Sequence, residues 1–198
     1  MKITTTDLPG VMVIEPDVFP DDRGSFQELF RADRCGDLGI SKPFVQHNLS
    51  VSRRNVLRGM HYQLRNPQAK LVTVIQGEVF DVVVDIRRGS PTFGRSVGMR
   101  LSEVNHLLFF VPEGFAHGFC VLSDEARFLY MTTAFYAPGD DYGILWSDPD
   151  LAIQWPNANP VLSRKDAVLP RMKDVARDRL PTCQGTQCDG DAIIAASI

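Results

Sequence analysis

The segment Glu78–Ile86 alternates its side chains with a period of two, and this pattern restricts the fold more than any other feature of the sequence. One face carries Phe80, Val82, Val84 and Ile86. The opposite face carries Asp81, Val83 and Asp85. Because a helix would repeat every three to four residues, alternation of β-branched residues predicts a half-buried β-strand.

Short strand-like segments continue along most of the chain, separated by glycine and proline. They are Val11–Ile14, Ser25–Phe30, Val45–Val51, Leu71–Gln76, Leu107–Val111, His117–Val121 and Arg127–Ala134. Helical periodicity is limited to a turn or two at 32–38 and after Ser163. Many evenly spaced strands with few helices predict an all-β sandwich or jelly roll.

The length of 198 residues fits one domain with a sizeable core. We expect that domain to span residues 1–175. From about Ala176 the strand pattern gives way to proline, glycine and small residues. Residues 176–198 are therefore predicted to be a tail that is peripheral or poorly ordered.

The composition excludes several classes of protein. A formal net charge of −3 gives no reason to expect wholesale binding to nucleic acid or to an anionic membrane. The first residues are polar, and the longest apolar runs are the length of a strand, so we expect no signal peptide and a cytoplasmic location. In that compartment the four cysteines, Cys35, Cys120, Cys183 and Cys188, are expected to be free thiols.

Two segments carry candidate chemistry, 58–63 followed by Lys70 and Gly77, and 112–117. Together they resemble the two motifs of the cupin superfamily. In the first cupin motif two histidines one residue apart precede a glutamate, and a glycine follows seven residues later. Here His61 occupies the first histidine position, Gln63 the second, and Lys70 the position of the glutamate. His117 is the histidine of the second motif. The resemblance implies a cupin-type jelly-roll β-barrel.

The substitution of Lys70 for a carboxylate bears on the question of a metal. Divalent cations bind neutral imidazoles and carboxylates, and an ammonium group would place a positive charge where the metal sits. The sequence therefore predicts a site without a metal or other cofactor, in which Lys70 takes over the electrophilic role.

A histidine and a lysine in one barrel suit proton abstraction beside a ketone. That reaction needs a base that works near neutral pH and a cation or donor for the developing enolate oxygen. Epimerisation also needs an acid that returns a proton on the opposite face. Tyr130, on the same face of its strand as Phe128 and Thr132, is a candidate for that acid.

A more specific resemblance covers about Leu8 to Pro170. The sequence is similar to the dTDP-4-dehydrorhamnose 3,5-epimerase family in segments 22–28, 46–48, 57–63, 68–72, 81–87, 90–94 and 112–119, and in Leu162, Ser163, Lys165 and Asp166. The resemblance implies that His61 abstracts protons at C3 and C5 of a 4-keto-6-deoxyhexose and that Asp166 fixes its tautomer. It also implies that Lys70 stabilises the enolate and that Tyr130 reprotonates the far face.

The same resemblance implies a substrate-binding set. Arg23 and Arg58 would bind the diphosphate, since a guanidinium fork matches paired phosphate oxygens. The other members are Phe26 and Glu28 at the nucleotide, Gln46, Asn48 and His117 at the sugar, and Asp141 and Lys165. Asp141 lies in a region where the family usually has a glutamate. Family members form homodimers that exchange an N-terminal strand, and the same is expected here.

Three alternatives remain at this stage. The chain could invert only one carbon of a related nucleotide-linked 4-keto sugar. It could be a cupin that binds a sugar nucleotide without catalysis. It could be a metal-dependent cupin oxygenase or isomerase, although Lys70 argues against that class.

Overall fold

The computed structural model describes residues 1–34, 36, 39, 40 and 42–183. The strands in these residues are β1 Lys2–Thr5, β2 Met12–Glu15, β3 Val18–Asp21, β4 Gly24–Gln27, β5 Gln46–Arg53, β6 Leu57–Gln63, β7 Lys70–Gln76, β8 Glu78–Asp85, β9 Ser96–Ser102, β10 Leu108–Val111, β11 Phe115–Val121, β12 Glu125–Thr132 and β13 Asp141–Gly143. The helices are single 3-10 turns at Ala32–Arg34, Pro138–Asp140, Asp166–Val168, Met172–Asp174 and Arg177–Arg179.

The strands form two antiparallel sheets that face each other. The six-stranded sheet has the order β1-β2-β10-β7-β12-β5, and the five-stranded sheet has the order β13-β6-β11-β8-β9. β3 and β4 form a separate hairpin. The prediction of an all-β jelly roll with a few short peripheral helices is confirmed.

The main core fills the space between the two sheets. Val72, Phe109 and Phe128 project into it from the six-stranded sheet, and Val83 and Phe119 from the five-stranded sheet. Phe119 and Phe128 stack with ring centroids 4.1 Å apart. Each such fully buried side chain contributes roughly 1.5–3 kcal/mol to folding.

Strand β8 is buried on both faces, so the prediction of a half-buried strand was wrong. Val82 and Val84 face outward, but the segment 144–180 covers them through Leu151, Met172 and other apolar side chains. On the inner face Asp81 is fully buried, because it has an internal hydrogen-bond partner.

The predicted tail begins at a point where the chain still packs on the barrel. Leu180 is 6% exposed and belongs to the apolar cluster on the outer face of the five-stranded sheet. Tyr62 donates a hydrogen bond from its hydroxyl to the carbonyl of Arg179. Residues 184–198 lie outside the described part of the chain, so the domain boundary at 175 stays a prediction.

The outer face of the six-stranded sheet is covered over only part of its area. Phe30, Ile40 and Phe44 pack on the end that carries β2 and β10. Toward the edge strand β5, Leu49 and Val51 are 54% and 51% exposed. Among the described residues, nothing packs over this end of the sheet, which leaves an exposed apolar surface.

The cysteines differ from expectation in one case. Cys120 is a buried free thiol, as predicted. Cys183 is disulfide-bonded, so the free-thiol prediction was wrong for this residue. Cys35 and Cys188 lie outside the described residues.

None of the helices in the described residues is long and apolar enough to cross a membrane.

Candidate active site

A cavity of about 500 Å³ opens between the two sheets. It is lined by strands β6 and β11 on one side and by β7 and β12 on the other. The predicted site residues in its wall are His61, Lys70, Tyr130, Asp166, Arg58, His117, Asp141 and Lys165. All four predicted catalytic residues thus share one cavity.

His61 on β6 is hydrogen-bonded to Asp166, which begins the 3-10 turn Asp166–Val168. The imidazole Nε2 lies 2.7 Å from Oδ1 of Asp166. Burial opposes ionisation of this carboxyl, but the hydrogen bonds from His61 and Ser163 outweigh burial and hold the pKa of Asp166 below its ordinary value. Because an ionised carboxylate only accepts, Nε2 carries the hydrogen in this contact, and Nδ1 is the nitrogen that has a lone pair when the imidazole is neutral. This is the arrangement of an oriented general base.

His117 on β11 lies directly opposite His61 in the antiparallel pair β6–β11. Its Nε2 is 2.9 Å from both carboxylate oxygens of Asp81. Asp81 is 0% exposed. The two histidines therefore share one end of the cavity, and each has its own carboxylate.

Lys70 begins β7 on the other sheet and also lines the cavity. In the described residues no carboxylate lies within 4.0 Å of its ammonium group. Burial lowers the pKa of Lys70 to about 8, against the favourable field of Asp81 and Asp141. Lys70 is thus a cation free to interact with a ligand oxygen.

Tyr130 on β12 is a diagonal neighbour of Lys70, because β12 pairs Tyr130 with Val72 and Thr132 with Lys70. Residues two apart on paired strands share a face of the sheet. Burial raises the pKa of Tyr130, an effect that Arg58 opposes. Tyr130 therefore stays protonated at neutral pH and can act as an acid.

Charged side chains surround one end of the cavity. Arg58 donates from Nε to Ser52 Oγ at 3.0 Å. Lys165 forms an ion pair with Asp141, and Asp141 also accepts a hydrogen bond of 3.0 Å from the hydroxyl of Tyr136. This arrangement suits the charged part of a ligand.

Gln46 and Asn48 lie next to this wall on β5. Asn48 pairs with Tyr130 and accepts a hydrogen bond of 2.8 Å from Gln46 Nε2. Gln46 Oε1 accepts from the backbone of Tyr136 at 2.9 Å. Neither side chain is part of the cavity wall as described above, so the substrate contacts expected of them stay a prediction.

The structure does not bring Arg23, Phe26 and Glu28 to the cavity of the same chain. They lie on or just after the β3–β4 hairpin. The side chain of Arg23 is 89% exposed and pairs with Asp21. Phe26 is 69% exposed, and Glu28 pairs with Arg34 at 2.9 Å.

The side chain of Gln63, at the position of the second cupin histidine, forms hydrogen bonds with backbone groups. Its amide nitrogen donates to the carbonyls of Asn66 and Phe135, and its amide oxygen accepts from the backbone of Ala137. In the described ranges, no three His, Cys, Asp or Glu residues form a group suited to a metal ion.

Sequence reasoning missed Asp81 as a site residue. The signal was present, because Asp81 falls on the face of β8 between Val79 and Val83, which belong to the main core. A carboxylate on a core-facing position needs an internal partner. The expectation that the strand was half-buried placed that face in solvent.

The arrangement can carry out proton transfer at carbon. The candidate base His61 lies on the five-stranded sheet, whereas Lys70 and the candidate acid Tyr130 lie on the six-stranded sheet. A planar enolate held between the sheets would meet the base on one side and the acid on the other.

The chain is similar to known epimerases over most of its length. The family model for dTDP-4-dehydrorhamnose 3,5-epimerase matches residues 5–174. A dTDP-4-dehydrorhamnose 3,5-epimerase of Pseudomonas aeruginosa is 53% identical over 84% of this chain and 93% of its own. A dTDP-4-dehydrorhamnose 3-epimerase of Streptomyces niveus is 43% identical over 84% of this chain and 81% of its own.

A solved structure of an epimerase is also similar to this chain. The crystal structure of a dTDP-6-deoxy-D-glucose-3,5-epimerase from Legionella pneumophila, in complex with dTDP-4-keto-L-rhamnose, has a TM-score of 0.91 to this chain at 47% identity. It covers 93% of this chain and 99% of its own. The chain therefore belongs to the dTDP-4-dehydrorhamnose 3,5-epimerase family.

Proposed function

We propose that the chain inverts C3 and C5 of dTDP-4-dehydro-6-deoxy-D-glucose and so forms dTDP-4-dehydro-L-rhamnose. The observation that carries this proposal is the position of the His61–Asp166 pair on one sheet and of Lys70 and Tyr130 on the other. Relatives named as 3,5-epimerases, at 52–53% identity, support inversion of both carbons.

In this mechanism His61 removes the proton from a carbon next to the C4 ketone, using the lone pair on Nδ1. Asp166 keeps the ring in that tautomer and stabilises the imidazolium that forms. Lys70 donates to the C4 oxygen as it becomes an enolate oxygen. Tyr130 then returns a proton to the opposite face of the same carbon, which inverts it.

Arg58 is proposed to bind the diphosphate, because guanidinium groups match paired phosphate oxygens. Lys165 and Asp141, which pair with each other at the cavity wall, would contact the remaining polar groups of the substrate. His117 would contact the sugar near C4.

The experiment is incubation with dTDP-4-keto-6-deoxyglucose in deuterium oxide, followed by NMR of the sugar protons. Deuterium at both C3 and C5, with inverted products, supports the proposal. The matched control is His61→Ala, which should incorporate no label. Absence of label with the unaltered protein would rule out this activity on this substrate.

A second candidate is inversion of one carbon only. The 3-epimerase of Streptomyces niveus, 43% identical to this chain, favours it. The same experiment separates the two, because a single-carbon enzyme gives inverted product at one position alone. Binding without any exchange would instead indicate a non-catalytic sugar-nucleotide protein.

We also propose that two copies of the chain form a homodimer by exchange of an N-terminal segment. β1 pairs with β2 of its own chain, so we take the β3–β4 hairpin as the segment that each copy supplies to the other's cavity. Two observations support this. Phe19 and Phe26 on the hairpin are 56% and 69% exposed, and Leu49 and Val51 leave an apolar surface on the outer face of the six-stranded sheet. Both surfaces are of the kind that a dimer covers.

The dimer can be tested by mixing two impaired variants, Arg23→Ala and His61→Ala, after partial unfolding and refolding together. If Arg23 acts in its neighbour's cavity, a mixed dimer contains one site with both changes and one intact site. About a quarter of the unaltered activity then returns. No recovery from an exchanged mixture would place Arg23 in its own chain's site or outside catalysis.

A further inference from the structure

The segment 134–141 leads from strand β12 to strand β13 and carries Asp141 to the wall of the cavity. Every residue of this segment is described, and none of residues 134–139 is buried. Phe135 and Tyr136 are 69% and 53% exposed. Because the segment has no buried apolar side chain of its own, hydrophobic packing does not fix its position. Its position depends on hydrogen bonds instead.

Gln63 holds the first half of the segment. It is the last residue of β6 and is 7% exposed. Its amide nitrogen donates to the carbonyl of Phe135 at 3.2 Å, and its amide oxygen accepts from the backbone nitrogen of Ala137 at 2.8 Å. One side chain therefore binds the backbone on both sides of Tyr136, and that side chain belongs to the strand that carries His61.

Asp140 holds the second half of the segment and is 1% exposed. Its carboxylate accepts hydrogen bonds from three successive backbone nitrogens after β6, those of Leu64 at 3.3 Å, Arg65 at 3.0 Å and Asn66 at 2.7 Å. Burial opposes ionisation of this carboxyl, but these bonds outweigh burial and hold the pKa of Asp140 below its ordinary value. An ionised carboxylate thus attaches the segment to the turn that follows β6.

We propose that Gln63 and Asp140 are positioning residues for substrate binding, which fix the segment 134–141 against β6 so that Asp141 meets the polar groups of the bound nucleotide sugar. This inference rests on the proposed function, which assigns those groups to Asp141 and Lys165. Among the described residues of the cavity wall, neither Gln63 nor Asp140 is present. Each therefore acts through the backbone that it holds.

The hydrogen bonds of the segment meet at Asp141. This residue directly follows Asp140, and it is the register partner of Gln63 in the β6–β13 pair. Its carboxylate accepts a hydrogen bond of 3.0 Å from the hydroxyl of Tyr136 and forms the ion pair with Lys165. A displacement of the segment would move Asp141 and Tyr136 together and would alter the contact with Lys165.

The proposed catalytic side chains do not depend on this segment. His61, Lys70 and Tyr130 lie on β6, β7 and β12, which are held by their pairing with β11, β10 and β5. Loss of the hydrogen bonds to the segment should therefore weaken substrate binding and leave the chemical step nearly unchanged. In steady-state kinetics such a loss raises KM and leaves kcat in place.

The variant Asp140→Asn tests the proposal. Asparagine keeps the shape of the side chain, but its NH2 group cannot accept from the backbone nitrogens that it would face. We expect KM for the nucleotide sugar to rise by roughly tenfold or more. We expect kcat to stay within about threefold of the unaltered protein.

Asp148→Asn is the matched control. Asp148 is 2% exposed and also accepts from backbone nitrogens, those of Met172 at 2.7 Å and Asp150 at 3.0 Å, away from the cavity wall. It should lower the melting temperature as Asp140→Asn does and leave KM unchanged. An equal KM in the two variants, or a fall in kcat at constant KM in Asp140→Asn, would overturn the inference.

Gln63→Glu is a second variant, which decides the question if Asp140→Asn does not fold. It keeps the contacts of Asp140 and replaces the amide nitrogen, which donates to the carbonyls of Asn66 and Phe135, with an oxygen that cannot donate. KM should again rise by roughly tenfold or more while kcat changes little. An unchanged KM in folded Gln63→Glu would contradict the proposal.

A further measurement does not depend on catalysis. Amide hydrogen exchange, followed by mass spectrometry without substrate, should be faster by roughly tenfold or more across 134–141 in both variants and unchanged in strand β7. Unchanged exchange in the segment would overturn the inference. If the unaltered protein inverts no carbon of the nucleotide sugar, the proposed function fails, whereas hydrogen exchange still decides whether Gln63 and Asp140 fix the segment.

Discussion

His61 and Asp166 are 105 residues apart in the chain, yet Nε2 of the imidazole lies 2.7 Å from Oδ1 of the carboxylate. The 3-10 turn that carries Asp166 packs against β6, and the backbone nitrogen of Asp166 donates to Ser163 Oγ at 3.0 Å. The carboxylate is 3% exposed, so its orientation is fixed. We therefore expect the base to depend on a residue from the last segment of the domain.

Replacing Asp166 with asparagine should lower kcat by roughly 10²-fold or more, because the amide neither enforces the tautomer nor stabilises the imidazolium. KM should change little, since Asp166 faces the histidine. Steady-state kinetics and substrate binding measure the two effects. Asp174→Asn, an exposed change in a neighbouring 3-10 turn, is the control. Equal kcat in both variants would remove Asp166 from the mechanism.

Replacing Tyr130 with phenylalanine should separate exchange from inversion. His61 still abstracts and returns protons on its own face, so deuterium enters the substrate, but the far face lacks its acid. Inverted product should fall by roughly 10²-fold or more relative to the unaltered protein, and label in uninverted substrate should persist. NMR of the sugar protons measures both. Unimpaired inversion would show that another group protonates that face.

The alkaline limit of activity should follow Lys70. Its cation is lost as the pH rises through about 8, so kcat/KM should fall above that value. Lys70→Met should lose most of the activity at every pH, because methionine offers no donor to the enolate oxygen. A pH profile from 6 to 10 checks this. Activity that stays level beyond pH 9 would contradict the assignment.

The substitution Lys70→Met should also stabilise the fold. Lys70 has a pKa of about 8 in the folded state and an ordinary value of 10.5 when exposed, so its burial costs stability wherever both states are protonated, below about pH 8. Between these two values the unfolded chain binds more protons, and the stability of the unaltered protein rises with pH. Lys70→Met should therefore melt at a higher temperature at pH 7, with a smaller advantage at pH 10.

If Lys70→Met melts no higher than the unaltered protein at pH 7, the ammonium group of Lys70 is solvated in the free cavity. The control is Lys173→Met, at an exposed ion pair with Asp150 where little change is expected.

The sequence predicted the barrel because alternation and turn residues are local signals. The spacing of the cupin-like motifs indicated His61, Lys70 and His117. The strand pattern and the need for an acid indicated Tyr130, and the family resemblance added Asp166. Asp81 was missed, because its register against His117 depends on strand pairing that spacing alone does not supply. The positions of Arg23 and Phe26 relative to the cavity also needed the fold, since the hairpin that carries them is separate from both sheets.

The opposed positions of the two histidines depend on a close approach of β6 and β11, which is tested by Gly118→Ala. A Cβ at Gly118 would lie 2.7 Å from the carbonyl oxygen of Arg58 and 2.9 Å from Cα of Gly59. Backbone has no room to yield there, so we expect a loss of about 1–3 kcal/mol in the free energy of unfolding. The register also shifts between His117 and Phe119 at this point, so kcat should fall too.

Gly36→Ala is the matched control, because a Cβ at Gly36 meets nothing within 4 Å. It should leave the free energy of unfolding unchanged or slightly raised, since alanine restricts the unfolded chain. Denaturant titration measures both variants, and substrate exchange measures kcat. If Gly118→Ala is as stable and as active as Gly36→Ala, strands β6 and β11 have room to separate. The spacing of His61 and His117 then does not depend on the contact between Gly59 and Gly118.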